Sequence, residues 1–251
     1  MPAFEALPGM PYWQDLVTAE PQKAAYFYSK ILGWEVSQDS YRVARKDGLP
    51  VAGIVAAAEQ APAWVTYFLG QPDERIETLG GKVLSHADVA LGRMTVCQDP
   101  QGCLFGMIQP AGEDQFVAAG EPGVPVWYEY VAPSEAAIDF YAELFDWELR
   151  REGNYVVAVH DGAPFLGFLV VDDPQLALSA GFWQVFFGVE NVRLAARQIG
   201  EYGGEVVAGP EANAFGEIVV AQDPAGAGFF LCEVEAPQLE DVRESDSILD
   251  L

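Results

Sequence analysis

Basic residues are scarce in this 251-residue chain, which carries 13 lysine and arginine residues against 38 aspartate and glutamate residues. The resulting net charge of −25 repels the phosphates of nucleic acids and anionic membrane surfaces. We therefore expect no nucleic-acid partner and no membrane partner, whereas a cationic ligand would be attracted. The same acidity is typical of a surface that serves only solubility.

The chain is also poor in side chains that bind metals or form disulfides. Its three cysteines, Cys97, Cys103 and Cys232, form neither an even disulfide set nor a Cys-x-x-Cys pair. Its two histidines, His86 and His160, lie in different halves of the chain and are typical of solvated surface positions. This content favours a reduced, cytoplasmic compartment.

Long apolar runs are missing as well. The longest, around VAGIVAAA, falls well short of the roughly 18 residues that a membrane-spanning helix needs. The first residues, MPAFEALPGM, lack a basic region followed by an apolar one, so we expect no secretory signal. Hydrophobic residues nevertheless make up 51% of the chain, which is enough to bury the core of one large domain or two ordinary ones.

What the sequence does contain is one long pattern that occurs twice. The stretch AAYFYSKILGWEV aligns without a gap with AIDFYAELFDWEL, and GRMTVCQDPQGCLFGMIQP aligns with GEIVVAQDPAGAGFFLCEV. The order of features in residues 8–110 recurs in residues 122–236. A period of this length indicates domain duplication. We predict domains at residues 1–112 and 124–237, a linker at residues 113–123, and an acidic tail at residues 238–251.

Each half is itself built from two similar units. A short alternating strand precedes a segment with helical spacing, as at Ala24, Tyr28 and Ile31, and three short strands follow. This order of elements occurs four times. It predicts an α+β fold in which four βαβββ units form cupped, mixed or antiparallel sheets with helices on the outer face. Trp34 and Trp147 are predicted to pack the first helix of each half against its sheet.

The chain resembles the glyoxalase/bleomycin-resistance/extradiol-dioxygenase group, which is also called the vicinal oxygen chelate superfamily. The motifs that carry the resemblance are FYSKILGW and FYAELFDW after the first strand of each half, and DPQG and DPAG before the last strand. The resemblance implies that two βαβββ units pair into one sheet with a site on its concave face. Two such faces, here called the first cup and the second cup, are expected. The sequence leaves open whether the first unit pairs with the second unit or with the fourth.

Members of this superfamily that use a metal ion resemble one another in ligands contributed by three strands, and this chain departs from that pattern. The corresponding positions are Trp13 and Trp127 in the first strand, Trp64 and Trp183 in the second, and Gly106 and Phe230 in the third. None of these side chains binds a divalent ion. We therefore expect no bound metal and no cofactor, and we interpret the six residues as candidate ligand-binding residues.

An acidic residue accompanies the first tryptophan of each half. Strand alternation places Asp15 on the same face as Trp13, and Glu129 on the same face as Trp127. In one interpretation the tryptophans only fill a cavity that has lost its metal. In the other they form a stacking slot whose carboxylate anchors a cationic or hydrogen-bond-donating group.

The two cups differ at the third of these positions. Gly106 leaves room where Phe230 occupies it, so we expect the first cup to be the roomier one and the main site. Alternation also places Cys232 on the cup-facing side together with Phe230, as a buried and unreactive thiol.

These observations support three hypotheses. The first is metal-independent binding of a small aromatic or cationic molecule, similar to sequestration by bleomycin-resistance proteins. The second is a lyase, isomerase or cyclase in which Asp15 or Glu129 acts as general base without a metal. The third is an interaction protein whose acidic surface docks a basic partner. In each case the chain would act as a monomer of two pseudo-repeated domains or as a homodimer.

Overall fold

A computed structural model describes residues 3–112, 116–171, 181–213 and 216–235, which form two eight-stranded sheets and a small two-stranded one. The predicted acidic tail at residues 238–251 lies outside the described residues, as do residues 113–115 of the predicted linker. Among the described residues, no helix is long and apolar enough to cross a membrane.

The N-terminal half contains two units of one strand, one helix and three strands. A short strand, β1 (Ala3–Glu5), comes before them. The first unit comprises β2 (Pro11–Thr18), α1 (Pro21–Ile31), β3 (Glu35–Val36), β4 (Tyr41–Lys46) and β5 (Leu49–Ala56). The second unit comprises β6 (Ala63–Leu69), α2 (Arg75–Thr78), β7 (Lys82–Val89), β8 (Gly92–Gln98) and β9 (Leu104–Pro110).

The C-terminal half repeats this order after a short strand, β10 (Phe116–Ala118), which pairs with β1. The third unit comprises β11 (Pro125–Ala132), α3 (Glu135–Phe145), β12 (Glu148–Glu152), β13 (Tyr155–His160) and β14 (Ala163–Val170). The fourth unit comprises β15 (Phe182–Val189), α4 (Val192–Glu201), β16 (Glu205–Asn213), β17 (Gly216–Gln222) and β18 (Gly228–Glu233). The predicted α+β fold with four βαβββ units is therefore confirmed.

The two units of each half share one mixed sheet. The strand order is β3-β4-β5-β2-β6-β9-β8-β7 in the first domain and β12-β13-β14-β11-β15-β18-β17-β16 in the second. At the centre, β2 runs antiparallel to β6 and parallel to β5, and β11 has the same relation to β15 and β14. The first unit thus closes its cup with the second unit, which answers the question that the sequence left open.

Local sequence explains where the first helix begins and ends. Proline fits the first turn of a helix, and α1 begins at Pro21. The residues predicted to face inward, including Ala24, Tyr28 and Ile31, are buried, and Gly33 follows the helix with a φ of +71°. The helix between β6 and β7 is short, since α2 has a single turn in which Ile76 is buried.

The helix-bearing faces of the two sheets pack against each other, so each domain contributes to the core of the other. Tyr28 of α1 lies in one buried cluster with Phe187 and Phe229 of the second domain. Trp34 stacks on Tyr28 of α1 with ring centroids 5.4 Å apart, and Trp147 stacks on Tyr141 of α3 with ring centroids 6.5 Å apart. The predicted packing role of both tryptophans is confirmed.

The Asp-Pro turns also join the two domains. Tyr130 and Tyr141 of the second domain donate to Asp99 Oδ2 of the first at 2.7 and 3.1 Å. The equivalent bond in the opposite direction joins Tyr28 of the first domain, as donor, to Asp223 Oδ2 of the second at 3.5 Å. The motifs FYSKILGW, FYAELFDW, DPQG and DPAG therefore hold the two domains together, while the cups lie on the other faces of the sheets.

Candidate functional site in the second cup

The first cup is a closed hydrogen-bonded cluster around one acid. Asp15 is 3% exposed, and its Oδ1 accepts hydrogen bonds from Trp13 Nε1 at 2.9 Å and Tyr41 Oη at 2.8 Å. Tyr67 also donates to this carboxylate. Burial raises the pKa of Asp15 to about 6, although these three hydrogen bonds oppose the rise. The prediction that Trp13 and Asp15 share a face is confirmed.

Two glycines make room for this cluster. A Cβ at Gly53 would lie 2.0 Å from Asp15 Oδ1 and 2.4 Å from Tyr41 Oη, and one at Gly106 would lie 2.0 Å from the Tyr67 ring. Any side chain at either position would therefore displace the groups that now fill the cup.

The expectation that Gly106 makes the first cup the roomier one is wrong. The ring of Tyr67 occupies the space that Gly106 leaves, and it packs there with Trp13, Met94 and Ile108. The size of a residue on one strand did not predict the volume of the cup, because a neighbouring strand supplied the side chain that fills it.

The second cup holds a cavity of about 380 Å³ with aromatic walls. Trp127, Tyr155, Phe186 and Phe230 form these walls, and the rings of Phe186 and Phe230 lie 4.6 Å apart at 34°. The remaining apolar wall consists of Leu169, Ile218 and Cys232. Trp127, Phe230 and Cys232 thus face the second cup, as the sequence predicted.

One acid lies in this cavity wall. Glu129 is 8% exposed, and its Oε1 accepts a hydrogen bond from Gln184 Nε2 at 2.5 Å. Tyr155 also hydrogen-bonds to Glu129, and Trp127 Nε1 donates to Tyr155 Oη at 2.9 Å. Burial raises the pKa of Glu129, and the hydrogen bonds from Tyr155 and Gln184 oppose that rise. Unlike Asp15, this carboxylate borders open space.

The placement of Trp64 and Trp183 in the cups is wrong. Trp64 packs against Tyr28, Trp34 and Phe187 in the core between the domains, and it is 7% exposed. Trp183, 5% exposed, lies in the corresponding cluster.

These two tryptophans were assigned to the wrong face because side chains alternate along a strand. A shift of one position therefore moves a side chain to the opposite face of the sheet. The residues of β6 that face the first cup are Val65 and Tyr67. On β15 the side chains that face the second cup are Gln184 and Phe186.

The donor set of the second cup does not fit a divalent metal centre. The described residues that line this cup offer one carboxylate, one amide and one phenol, and burial raises the pKa of the Cys232 thiol, which disfavours the thiolate that binds metals. Across the described ranges, no group of three or more His, Cys, Asp or Glu residues is placed to hold a metal ion. His86 and His160 are both exposed on strands.

We did not predict the tyrosine and glycine partners of each acid from the sequence. Tyr41 and Tyr155 begin equivalent strands, and both bond to the acid of their cup. Opposite the acids, Gly53 pairs with Asp15 and Gly167 pairs with Glu129. A signal was present, because the segments YRVARKDGLPVAGIV and YVVAVHDGAPFLGFLV carry tyrosine and glycine at matching places. Gln184 has no such signal, since Val65 occupies its place in the first domain.

Comparison with known proteins agrees with this fold. The sequence model of the glyoxalase-like domain matches residues 14–108 and again residues 130–232. The protein CFP32 of Mycobacterium tuberculosis, whose assigned name is that of a glyoxylase, is 28% identical over 92% of this chain and 96% of its own length. The anthracycline biosynthesis protein DnrV of Streptomyces peucetius is also 28% identical, over 90% of this chain and 94% of its own.

Solved structures share the fold at low identity. A Mn(II)-bound glyoxalase from Novosphingobium aromaticivorans superposes with a TM-score of 0.60 at 14% identity, over 96% of this chain and 92% of that one. The 2,3-dioxygenase LapB from Pseudomonas sp. KL28 superposes with a TM-score of 0.60 at 13% identity, over 93% and 95%. Because the family match covers most of both halves, the chain belongs to the glyoxalase-like domain family, with two copies of the domain in tandem.

Proposed function

We propose that the second cup binds a small molecule that carries an aromatic ring together with a cationic or hydrogen-bond-donating group. The observation that supports this most directly is the cavity of about 380 Å³, which has four aromatic walls and one buried carboxylate, Glu129. Its size lies within the range of roughly 300–1,000 Å³ that is usual for small-molecule sites, and its mixture of apolar walls with a few polar groups is also typical of them.

The electrostatics favour a donor or a cation over an anion. Burial raises the pKa of Glu129, so its charged form lacks solvation that a bound cation would replace. A cation beside the faces of Trp127 or Phe230 would gain roughly 0.5–2 kcal/mol for each cation–π contact. The net charge of −25 attracts such a ligand from solution.

We further propose that this binding needs no metal ion. Donor chemistry supports this, because the groups that line the cavity are those that recognise an organic ligand rather than a divalent ion. The name of DnrV connects one relative with anthracycline biosynthesis, and anthracyclines are polycyclic aromatic compounds. An aromatic ligand for this chain agrees with that relationship. The role of the chain would then be to sequester or carry the ligand.

Calorimetric titration with two matched probes tests the proposal. We expect (2-naphthyl)methylammonium to bind more tightly than 2-naphthylmethanol, which has the same ring without the charge. Glu129→Gln should weaken binding of the ammonium probe by about tenfold or more, equivalent to about 1.4 kcal/mol, and change binding of the alcohol by less than about threefold.

The first cup supplies the matched control. Asp15→Asn should leave the affinities of both probes unchanged, because Asp15 is sealed by protein groups. Failure of both probes to bind would contradict the proposal, and so would equal losses in the Glu129→Gln and Asp15→Asn variants. Ile218→Trp, which fills the second cup, should abolish binding of either probe.

The second candidate function is proton abstraction with Glu129 as general base. The raised pKa of Glu129 favours it, because a base whose pKa approaches the working pH transfers protons more effectively. Tyr155 would hold the carboxylate in position through its hydrogen bond. Asp15 was the other candidate base, but its Oδ1 is already bonded to Trp13 and Tyr41 in a packed cluster.

Deuterium exchange separates this function from binding alone. With 2-naphthyl methyl ketone in D₂O, a base in the second cup would remove a methyl proton and return a deuteron, which NMR detects. The wild-type protein should then catalyse exchange, Asp15→Asn should match it, and Glu129→Gln should bind the ketone without exchange. Binding of the ketone by the wild type with exchange at the solvent rate would reject the catalytic function.

A further inference from the structure

A second cavity lies between the two domains and, like the second cup, is bordered by Trp127. It has a volume of about 190 Å³ and is lined by both tryptophans of the first strands, Trp13 and Trp127. It is here called the interdomain pocket. Trp127 lines this pocket and the cavity of the second cup alike, so the two cavities are neighbours that share one wall.

The interdomain pocket is formed by matching parts of the two domains. The first residues of β2 and β11, which occupy equivalent places in the repeat, both line it. Val51 and Phe165, at equivalent places in β5 and β14, line it as well. The chain that connects the domains closes one side with Ala118 and Ala119. The pocket is therefore a product of the tandem arrangement, and a single domain would not have it.

Four polar side chains at its wall, those of Gln14, Tyr128, Trp13 and Trp127, donate or accept hydrogen bonds within the protein. The Tyr128 hydroxyl donates to Gln14 Oε1 at 2.5 Å, and the amide nitrogen of Gln14 donates to the carbonyl oxygen of Val51. The indole nitrogens of Trp13 and Trp127 both donate towards their own cups, to Tyr41 Oη and Tyr155 Oη at 2.9 Å each.

The rest of the wall consists of apolar side chains and Tyr12. Met10, Leu91, Pro125 and Val126 contribute to it, and no lysine, arginine, aspartate or glutamate is among the described residues that line the pocket. Such a wall offers an apolar ligand large burial and offers a charged group no partner. Its volume is slightly larger than the roughly 150 Å³ of an apolar cavity that holds benzene in another protein.

We propose that the interdomain pocket is a second small-molecule site, which takes an uncharged apolar molecule the size of a substituted benzene ring. This site is distinct from the second cup in its chemistry, since it excludes the charged group that Glu129 attracts. It does not depend on the function proposed for the second cup, because the two cavities have different walls apart from Trp127.

Ligand-observed ¹⁹F NMR with 4-fluorotoluene tests the site. This probe is apolar, uncharged and small enough for the pocket. We expect its resonance to broaden with the wild-type protein and to broaden equally with Ile218→Trp, in which the second cup is filled. Ala118→Phe places a ring at the linker wall of the pocket and should reduce the broadening at least fivefold.

A second variant controls for the case in which Ala118→Phe does not fold. Ala119→Phe fills the pocket from the neighbouring position and should have the same effect, with far-ultraviolet circular dichroism showing that each variant is folded. The proposal is overturned if the wild-type protein does not broaden the resonance. It is also overturned if Ile218→Trp removes the broadening while folded Ala118→Phe and Ala119→Phe retain it, because the probe would then occupy the second cup.

Discussion

Replacement of Asp15 by asparagine tests whether the first cup is sealed. Asp15 is 3% exposed, and burial raises its pKa from 3.8 to about 6. A carboxyl group with a higher pKa in the folded chain than in the unfolded chain holds its proton more tightly when folded. Its ionisation therefore removes stability as the pH rises from below 3.8 to above about 6.

The size of this effect follows from the two pKa values. Each tenfold difference in proton affinity corresponds to about 1.4 kcal/mol, so ionisation of Asp15 lowers the free energy of unfolding by about 3 kcal/mol above both values. About 2 kcal/mol of that loss falls between about pH 4.5 and 7.5. An asparagine at this position does not titrate, and its side-chain oxygen can still accept from Trp13 and Tyr41. The Asp15→Asn variant should therefore gain stability relative to the wild type by about 2 kcal/mol across this interval.

Urea unfolding at several pH values measures the difference directly. Circular dichroism and tryptophan fluorescence should give coincident transitions, which permits a two-state treatment. Glu148→Gln, which removes one carboxylate at an exposed position, is the control for the loss of a negative charge by itself. A difference between Asp15→Asn and the wild type that stays constant with pH would refute the reasoning, because Asp15 would then ionise as easily in the folded chain as in the unfolded one.

Two further substitutions test the packing that closes the first cup and joins the domains. Gly106→Ala should lower the free energy of unfolding by about 1–3 kcal/mol, measured by urea denaturation, because the new Cβ would lie 2.0 Å from the Tyr67 ring. A neutral result would mean that Tyr67 moves aside at little cost. Tyr130→Phe should cost about 1.5–3 kcal/mol, because it removes a 2.7 Å hydrogen bond to buried Asp99. Thermal unfolding measures this loss against Arg151→Ala, which breaks an exposed ion pair and should cost less than about 1 kcal/mol. Similar losses in both variants would contradict a structural role for the Tyr130 bond.

Most of the fold could be predicted because its signals are local. Helical spacing in residues 21–31 and alternation along the strands each depend on residues close in sequence. The Asp-Gly pairs at 47–48 and 161–162 turn with positive φ at both residues, as a tight hairpin requires. Duplication strengthened each signal, since every local pattern could be read twice.

The face of a strand was harder to predict than the strand itself. Alternation shows that Trp64 shares a face with Thr66 and Phe68, but it does not show which face of the sheet the helices cover. The surroundings of Trp64 come from both domains, because Tyr28 of α1 belongs to the first domain and Phe187 to the second. Information from a distant part of the chain decided its position.

The sequence by itself determined the duplication, the four βαβββ units, and the placement of one tryptophan and one acid together in each cup. Only the tertiary structure decided which cup is open. In the first domain the Tyr67 ring fills the space beside Gly106, whereas in the second Phe186 packs against Phe230 and leaves a cavity in front of Glu129. The physical reason is that the volume of a cavity depends on how side chains from several strands pack together, which no single strand encodes.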